Sequence, residues 1–312
     1  MDDSSPTLTT RCRRRWLLAL CLVSLGFAAH QLEAAEAEQE AVRLIYKFQP
    51  NESLHLEYKQ NMTMDIRHAE LKRKMLSQTI AEKHLRVISV DADGNALVEP
   101  VIDRTRMTSR QDEDAESKFD SAEGLDNCPA EYRPLLATIG KPLVRIKFAP
   151  NGKLLQANGV NGGAAAAKDI EHDPTLNFLI VFPEQPVQVG ETWKDEFEAT
   201  VQLDRSLKQG VKLRREYRLL KLAGSRAEIE LKTVCLTPLR DPKLEMQITS
   251  RLLNGTIVFD HQLGQIVSRE MRVESQVING IGPNTMVSTV MTQSERTVPN
   301  PKLAKRDKST TP

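Results

Sequence analysis

Aromatic residues make up only 4% of this 312-residue chain. Single-stranded nucleic acid is held by stacking its bases on aromatic rings, so a chain so poor in them is badly equipped for that task. Lys212, Arg214 and Arg215 form the one basic cluster of the folded part, and the formal net charge is +1. No strong field therefore steers the chain towards an anionic polymer or an anionic membrane. Cysteine is scarce too, with Cys12, Cys21, Cys128 and Cys235 in the whole sequence. That excludes a disulfide scaffold. The only long apolar run is Trp16–Ala29, shorter than the roughly 20 residues a membrane-spanning helix needs. Motifs of common catalysts are missing as well. There is no Gly-x-Ser-x-Gly elbow, no Ser-x-x-Lys pair and no phosphate-cradling glycine loop.

What is present first is a leader. Arg11, Arg13, Arg14 and Arg15 precede the apolar run, and small residues follow it at Gly26-Phe27-Ala28 and Ala35-Glu36-Ala37. A basic flank, a short apolar core and small residues describe a secretory signal peptide, with an uncleaved anchor as the competing reading. Cys21 does not mark a lipoprotein, because bulky Leu20 precedes it and apolar sequence continues after it. Removal of the leader leaves Cys128 and Cys235. Cys235 shares parity with Ala227, Ile229 and Leu231, and a buried free thiol is favoured over a bridge there.

The organising stretch is Leu54–Ile66. Leu54, Leu56, Tyr58, Met62, Met64 and Ile66 occupy even positions, and only Gln60 breaks the set. Successive side chains of a strand point to opposite faces, so this spacing predicts one dry and one wet face. Burying those six side chains would contribute on the order of 10 kcal/mol as an upper bound. Val42, Leu44, Tyr46 and Phe48 alternate before it as an opening strand, and Arg67–Arg73 reads as a polar loop. Met75–Val90 is expected to be a strand with Leu76, Ile80, Ile88 and Val90 on one side. It turns at Asp91-Ala92-Asp93-Gly94 into Asn95–Met107.

Further on, the acidic stretch Gln111–Gly124 reads as a solvated connection. Pro129–Ile139 reads as a short helix that Pro134 splits into two turns. Leu143–Ala149 and Lys153–Ala157 form a hairpin across Pro150-Asn151-Gly152. Asn158–Ala167 is low in complexity and predicts a flexible joint, with a helix over Lys168–Ile180. Trp193, Phe197, Ala199, Val201 and Leu203 then alternate, with Asp195 as the gap. Hairpins follow over Val211–Leu220 with Ala227–Thr237, and over Gly255–Asp260 with Gln265–Gln276. The two halves run in the same order, which suggests duplication of one β unit.

Candidate chemistry is thin. His55, His68, His84, His172 and His261 are scattered, with no spacing that converges on a metal. Asp91-x-Asp93-x-Asn95 begins like a calcium loop, but Gly94 sits fourth where that loop needs glycine sixth. Glu228 and Glu230 could pose as paired carboxylates, yet alternation with Ile229 and Leu231 explains them as a wet side. Met62, Met64, Met75 and Met107 are more suggestive, because methionine adapts to irregular apolar partners. An ordinary core is the favoured reading, with the lining of a cavity for a lipid or another protein's apolar segment as the alternative.

Pro183–Trp193 reads P-E-Q-P-V-Q-V-G-E-T-W. With the leader, Val90-Asp91-Ala92-Asp93-Gly94 and Gly264–Met271, this resembles a family of uncharacterised exported bacterial proteins, a domain of unknown function numerous in planctomycetes. The likeness covers roughly Ala41–Val298. It implies a periplasmic or envelope setting and carries no catalytic residues. Physically, Gly190 permits a bend and Trp193 anchors the following strand in the core. Pro134 and Ala164–Ala167 depart from the pattern.

The resulting expectation is a mainly β protein of two related antiparallel, strongly curved, half-barrel-like sheets with one or two short helices. Residues 1–37 are the leader, 38–157 the first β half, 158–182 the joint, 183–297 the second half and 298–312 a disordered tail. This resembles lipoprotein-carrier-type half-barrels, an analogy of fold alone. The expected function is non-catalytic, with no cofactor, metal or nucleic acid. A lipid-like ligand or an apolar segment of an envelope protein would lie on a face of Leu56, Tyr58, Met62, Met64, Met107, Trp193 and Phe197. The alternative is a structural or adaptor protein of the cell envelope. Export to the periplasm or envelope is expected, with membrane contact only through an uncleaved leader.

Overall fold

The computed structural model describes residues 41–126, 128–172, 179–202 and 208–300. The leader, the tail beyond Asn300, Leu203 and part of the helix expected over Lys168–Ile180 lie outside the described residues. No helix among the described residues is long and apolar enough to cross a membrane.

One antiparallel sheet dominates. Its first arm is β1 (Ser53–His68), β2 (Leu71–Val90), β3 (Ala96–Gln111), β4 (Ser117–Asp120), β5 (Val144–Phe148) and β6 (Leu154–Gly159). The second arm is β7 (Thr192–Gln202), β8 (Lys208–Ala223), β9 (Arg226–Cys235), β10 (Asn254–Asp260), β11 (Gln265–Ile278) and β12 (Thr285–Val298). The strand order is β6-β5-β3-β2-β1-β12-β11-β10-β9-β8-β7, with β4 paired to β3 off the path.

The expected pair of sheets is therefore corrected to one. β1 pairs with β12 from His55↔Val298 to His68↔Thr285 and fuses the arms into a continuous ladder. The sequence reading missed β12. Met286 and Val290 fall on one side of it, Val287 and Met291 on the other, so no clean period of two announces the strand.

The sheet is strongly curved. Eleven flat strands at about 4.8 Å spacing would hold the outermost pair roughly 48 Å apart. Yet α2 (Ala164–His172), nine residues and so about 13 Å long, touches both β6 and β7. Within the described sheet these two edges are not hydrogen-bonded to each other. The interior between them is filled by segments without a strand ladder. Val42–Phe48 is one, correcting its reading as a strand: it makes a single bridge, Val42↔Val187. Its parity holds nonetheless, with Leu44, Tyr46 and Phe48 buried. The Tyr46 hydroxyl donates to Ile180 O at 3.3 Å and accepts from Ile180 N at 3.0 Å. Several aromatic rings gather here: Tyr46 and Phe182 lie 5.1 Å apart, Phe182 and Phe259 4.6 Å, and Trp193 stacks on Tyr217 at 5.3 Å.

Local corrections have local causes. The loop expected over Arg67–Arg73 shrinks to Ala69 and Glu70, with Ala69 at φ 51°, because the strands continue to His68 and Leu71. The alanines of the expected joint form α2 instead, as the best helix formers should. Its Ala167 and Ile170 join the core. Gly163, just before it, cannot carry a side chain: a Cβ there would sit 1.9 Å from the Leu143 carbonyl oxygen.

Pro134 lies in the first turn of α1 (Arg133–Leu136), which follows a short 3-10 turn over Ala130–Tyr132, in keeping with two turns. The acidic stretch holds β4, with Phe119 buried and Asp120 paired to Arg104, so it is more than a solvated link. In β2 the dry side is Ala81, Leu85 and Val87, opposite to Leu76 and Ile80. The shift between Val87 and Ser89 then carries Val90 to the dry side, where it packs against the core.

The second arm has a cover the sequence reading lacked. α3 (Pro242–Thr249) starts at Asp241, whose side chain accepts from Lys243 N, with Pro242 in the first turn. Its Leu244 and Ile248 lie against Ala199, Val201, Val211 and Leu213. Cys128 and Cys235 are unbridged; Cys128 is buried, whereas Cys235 is only half-buried.

Candidate functional site

Side chains directly opposite one another in a ladder share a face. Starting from the even positions of β1, the inward face of the central strands can be followed from partner to partner. Met62 lies between Met291 and Ser77, Met64 between Thr289 and Met75, and Tyr58 between Glu295 and Ala81. Met107 lies between Thr79 and buried Phe119. None of the six apolar side chains of β1 is fully buried, although β1 sits in the middle of the sheet. Their contribution is accordingly well short of the full-burial figure. Met75 beside them is 41% exposed. The central strands thus present an open, methionine-rich strip.

The seven residues expected to form one face divide into two groups. Leu56, Tyr58, Met62, Met64 and Met107 lie on β1 and β3, the first arm. Trp193 and Phe197 lie on β7, at the far end of the strand order. Trp193 packs against the main core and donates from Nε1 to Val181 O at 3.0 Å. Gly190, at φ 93°, makes the bend before it and donates to Leu219 O at 2.7 Å. Phe197 packs with the α3 cluster, and the Arg215 guanidinium lies 5.2 Å from its ring centre.

The strip is not purely apolar. Lys83 faces inward because its partner across the ladder is Leu56. Its Nζ donates to Glu295 Oε2 at 3.3 Å and lies 3.9 Å from the centre of the Tyr58 ring. Arg269 approaches the same carboxylate at 3.9 Å. Burial lowers the Lys83 ammonium below its ordinary range, and Glu295 only partly offsets this. Burial, then the Glu295 charge, pushes the Tyr58 phenol up to about 12. Tyr58 also donates to Gln60 at 2.7 Å, and Gln293 donates to Gln60 at 3.0 Å. Gln60, the break in the alternation, is therefore part of an inward polar belt. Asp195, the gap in β7, has a similar explanation. It faces Arg215 across the ladder, and burial raises its carboxyl against that attraction.

Several cavities reach residues of the strip. One of about 110 Å³ is lined by Tyr58, Arg215, Ile257, Arg269, Met271 and Glu295. Another, about 230 Å³, is lined mostly by apolar groups including Leu56, Leu85, Val101, Ile102 and Leu143. Both of these fall below the roughly 300 Å³ at which small-molecule pockets begin.

The opposite face holds a constellation the sequence reading dismissed. His55 and His84 are direct partners across β1 and β2, and the His84 ring bonds Asp103 of β3 at 2.7 Å. A signal for it existed: both histidines lie equally far from the Ala69–Glu70 turn. Reading Arg67–Arg73 as a long loop erased that register. By contrast, Asp91 is a turn residue, as expected, accepting from Asp93 N and Asn95 N. Lys147, then Asn95, holds its carboxyl down to about 2. Glu228 and Glu230 flank buried Ile229 and Leu231 as expected for a wet side.

No family model and no curated protein matches this sequence. Among solved structures, lipovitellin is similar over 81% of this chain at 14% identity, with a TM-score of 0.46. This chain spans 25% of the lipovitellin chain. DynF from the dynemicin biosynthesis pathway of Micromonospora chersina is similar at 8% identity over 86% of this chain and 89% of its own, with a TM-score of 0.23. A DUF1329 family protein from Desulfovibrio piger is similar at 11% identity over 77% of this chain and 85% of its own, with a TM-score of 0.16.

Proposed function

We propose that this is an exported, non-catalytic binding protein that holds a lipid-like ligand or an apolar protein segment along the inward strip of β1 and its neighbours. One observation carries the reading. The alternating side chains of a central strand, Leu56 through Ile66, remain only half-buried where a core strand would bury them. Methionine supports it, since a flexible thioether chain conforms to ligands of variable shape. The Lys83–Glu295–Arg269 belt beside Tyr58 would meet a polar head while the methionines meet an apolar tail. The leader and the motif from Pro183 to Trp193 support an envelope setting and the family resemblance.

The test is native mass spectrometry of protein purified from its own host, followed by organic extraction. A co-purifying apolar molecule is expected, and Met62→Asp with Met64→Asp should abolish it while the fold is retained. Ligand-free protein that also fails to bind a hydrophobic dye would end the proposal.

A further inference from the structure

The face of the sheet turned away from the strip carries His55, His84 and Asp103, one residue from each of three adjacent strands. Three features bring them together. The β1–β2 register sets His55 opposite His84, and their rings lie 5.4 Å apart. The register shift between Glu82 and Lys83 leaves Asp103 as an extra residue between Ile102 and Arg104. A bulge of this kind re-aims a side chain, and here the Asp103 carboxylate reaches His84 Nδ1 at 2.7 Å. One ligand atom from each residue lies within 4.8 Å of the others.

We propose that His55, His84 and Asp103 form a binding site for one divalent transition-metal ion, with zinc as the best-suited probe. Two imidazoles and a carboxylate are a donor set that zinc accepts, leaving a further position open. Metal–ligand bonds of about 2.0–2.1 Å in a tetrahedral site separate the ligand atoms by about 3.3 Å. The hydrogen-bonded pair at 2.7 Å and the outer limit of 4.8 Å bracket that spacing. Modest side-chain adjustment, with no change of strand register, would complete the site.

The surroundings carry charges of both signs. The trio opens on a cleft of about 580 Å³ that also holds Glu57 and Glu82. Those two carboxylates are cross-strand partners. Arg296 pairs with Glu57, its Nε at 2.8 Å, and Arg106 lies 3.8 Å from Glu82. With Asp103 the cleft has three carboxylates, and Lys83 lines it as well. Like charges directly opposite on a ladder are destabilising on their own, and Arg296 and Arg106 offset that repulsion between Glu57 and Glu82. A bound ion would also tie β1, β2 and β3 together from the side opposite the strip.

The experiment is calorimetric titration of the full-length chain, stripped with EDTA, with zinc sulfate. One zinc ion per chain is expected to bind saturably. The double variant His55→Ala with His84→Ala should weaken that binding by at least tenfold, since even the loss of an outer-shell partner costs about 10–100-fold. His68→Ala, at the far end of the same strand, should leave it unchanged. Circular dichroism checks the fold. Should the double variant fail to fold, Asp103→Asn decides, because it keeps the size and an acceptor oxygen while removing the charge, and it should weaken zinc by about tenfold or more. Cobalt(II) in place of zinc should give visible ligand-field absorption that the same variants lose. Absence of saturable binding, or equal affinity in wild type and variants, overturns the site and leaves His84 and Asp103 as a plain hydrogen-bonded pair.

Discussion

The two arms of the sheet present the same alternation and different burial. On β7 and β8, Ala199, Val201, Val211 and Leu213 are at most 3% exposed, sealed by α3. On β1, Met62, Met64 and Ile66 obey the same parity and stay half-exposed. A period of two selects the side of the strand, and whether that side becomes core depends on a covering element. α3 starts far from β1 in the strand order and reaches β7 and β11. The difference between a sealed face and a candidate binding face is thus one helix of eight residues.

The comparison can be broken first at its sealed end. Leu213→Ala should destabilise the protein by about 3 kcal/mol, within the 2–5 range for emptying a well-packed leucine site. Urea unfolding would show it as a lower midpoint at unchanged slope. A loss below about 1 kcal/mol would mean α3 does not seal that face.

A smaller effect is expected at Glu99, which is 1% exposed and ties β2 to β5 through Arg86 and Arg145. Burial by itself would raise this carboxyl, but the two guanidiniums hold it below its ordinary value. Because its folded value is depressed, its contribution is complete above the unfolded value of about 4.3 and is lost as pH falls through the folded one. Glu99→Gln should cost about 2 kcal/mol at pH 7, discounted for the half-exposed arginines. Wild type and variant should converge in acid, once the pH falls below the folded carboxyl's value. A difference that persists undiminished there would show that the carboxylate charge is not the source.

Smallest of all should be Met64→Ala on the open strip. Partial exposure of this side chain limits its loss to under about 1 kcal/mol. The same change should lower hydrophobic-dye binding, measured by fluorescence titration, whereas Leu213→Ala in its folded state should not. A reversed ranking of the two stability losses would invert the assignment of sealed and open faces.

Much of the fold was legible because its signals are local. Asn151-Gly152 turned β5 into β6 where expected, Leu44, Tyr46 and Phe48 were buried as their parity required, and Trp193 anchored its strand. The misreadings share another cause. In β2 the apolar Leu76 and Ile80 lie opposite the dry Ala81, Leu85 and Val87, only Val90 of the expected set reaches the core, and β12 was overlooked because apolar residues occupy both its faces. The alanine run read as a joint because low complexity looks like a linker until Gly163 and Leu143 are seen to need close approach. Lys83 and Glu295 were invisible as neighbours, being brought together only when β1 stands between β2 and β12.

Side-chain spacing and turn chemistry are properties of a few consecutive residues. The sequence by itself therefore determined that the chain is mostly strand, where several strands reverse, and which positions of β1, β7 and β9 share the inward face. Tyr58 meeting Glu295, β1 closing on β12, α3 covering one arm alone, and His55 converging with His84 and Asp103 are decisions of register between distant segments. Only the tertiary structure made them, because a ladder specifies its partner through all its cross-strand contacts together, and no single window of sequence contains those.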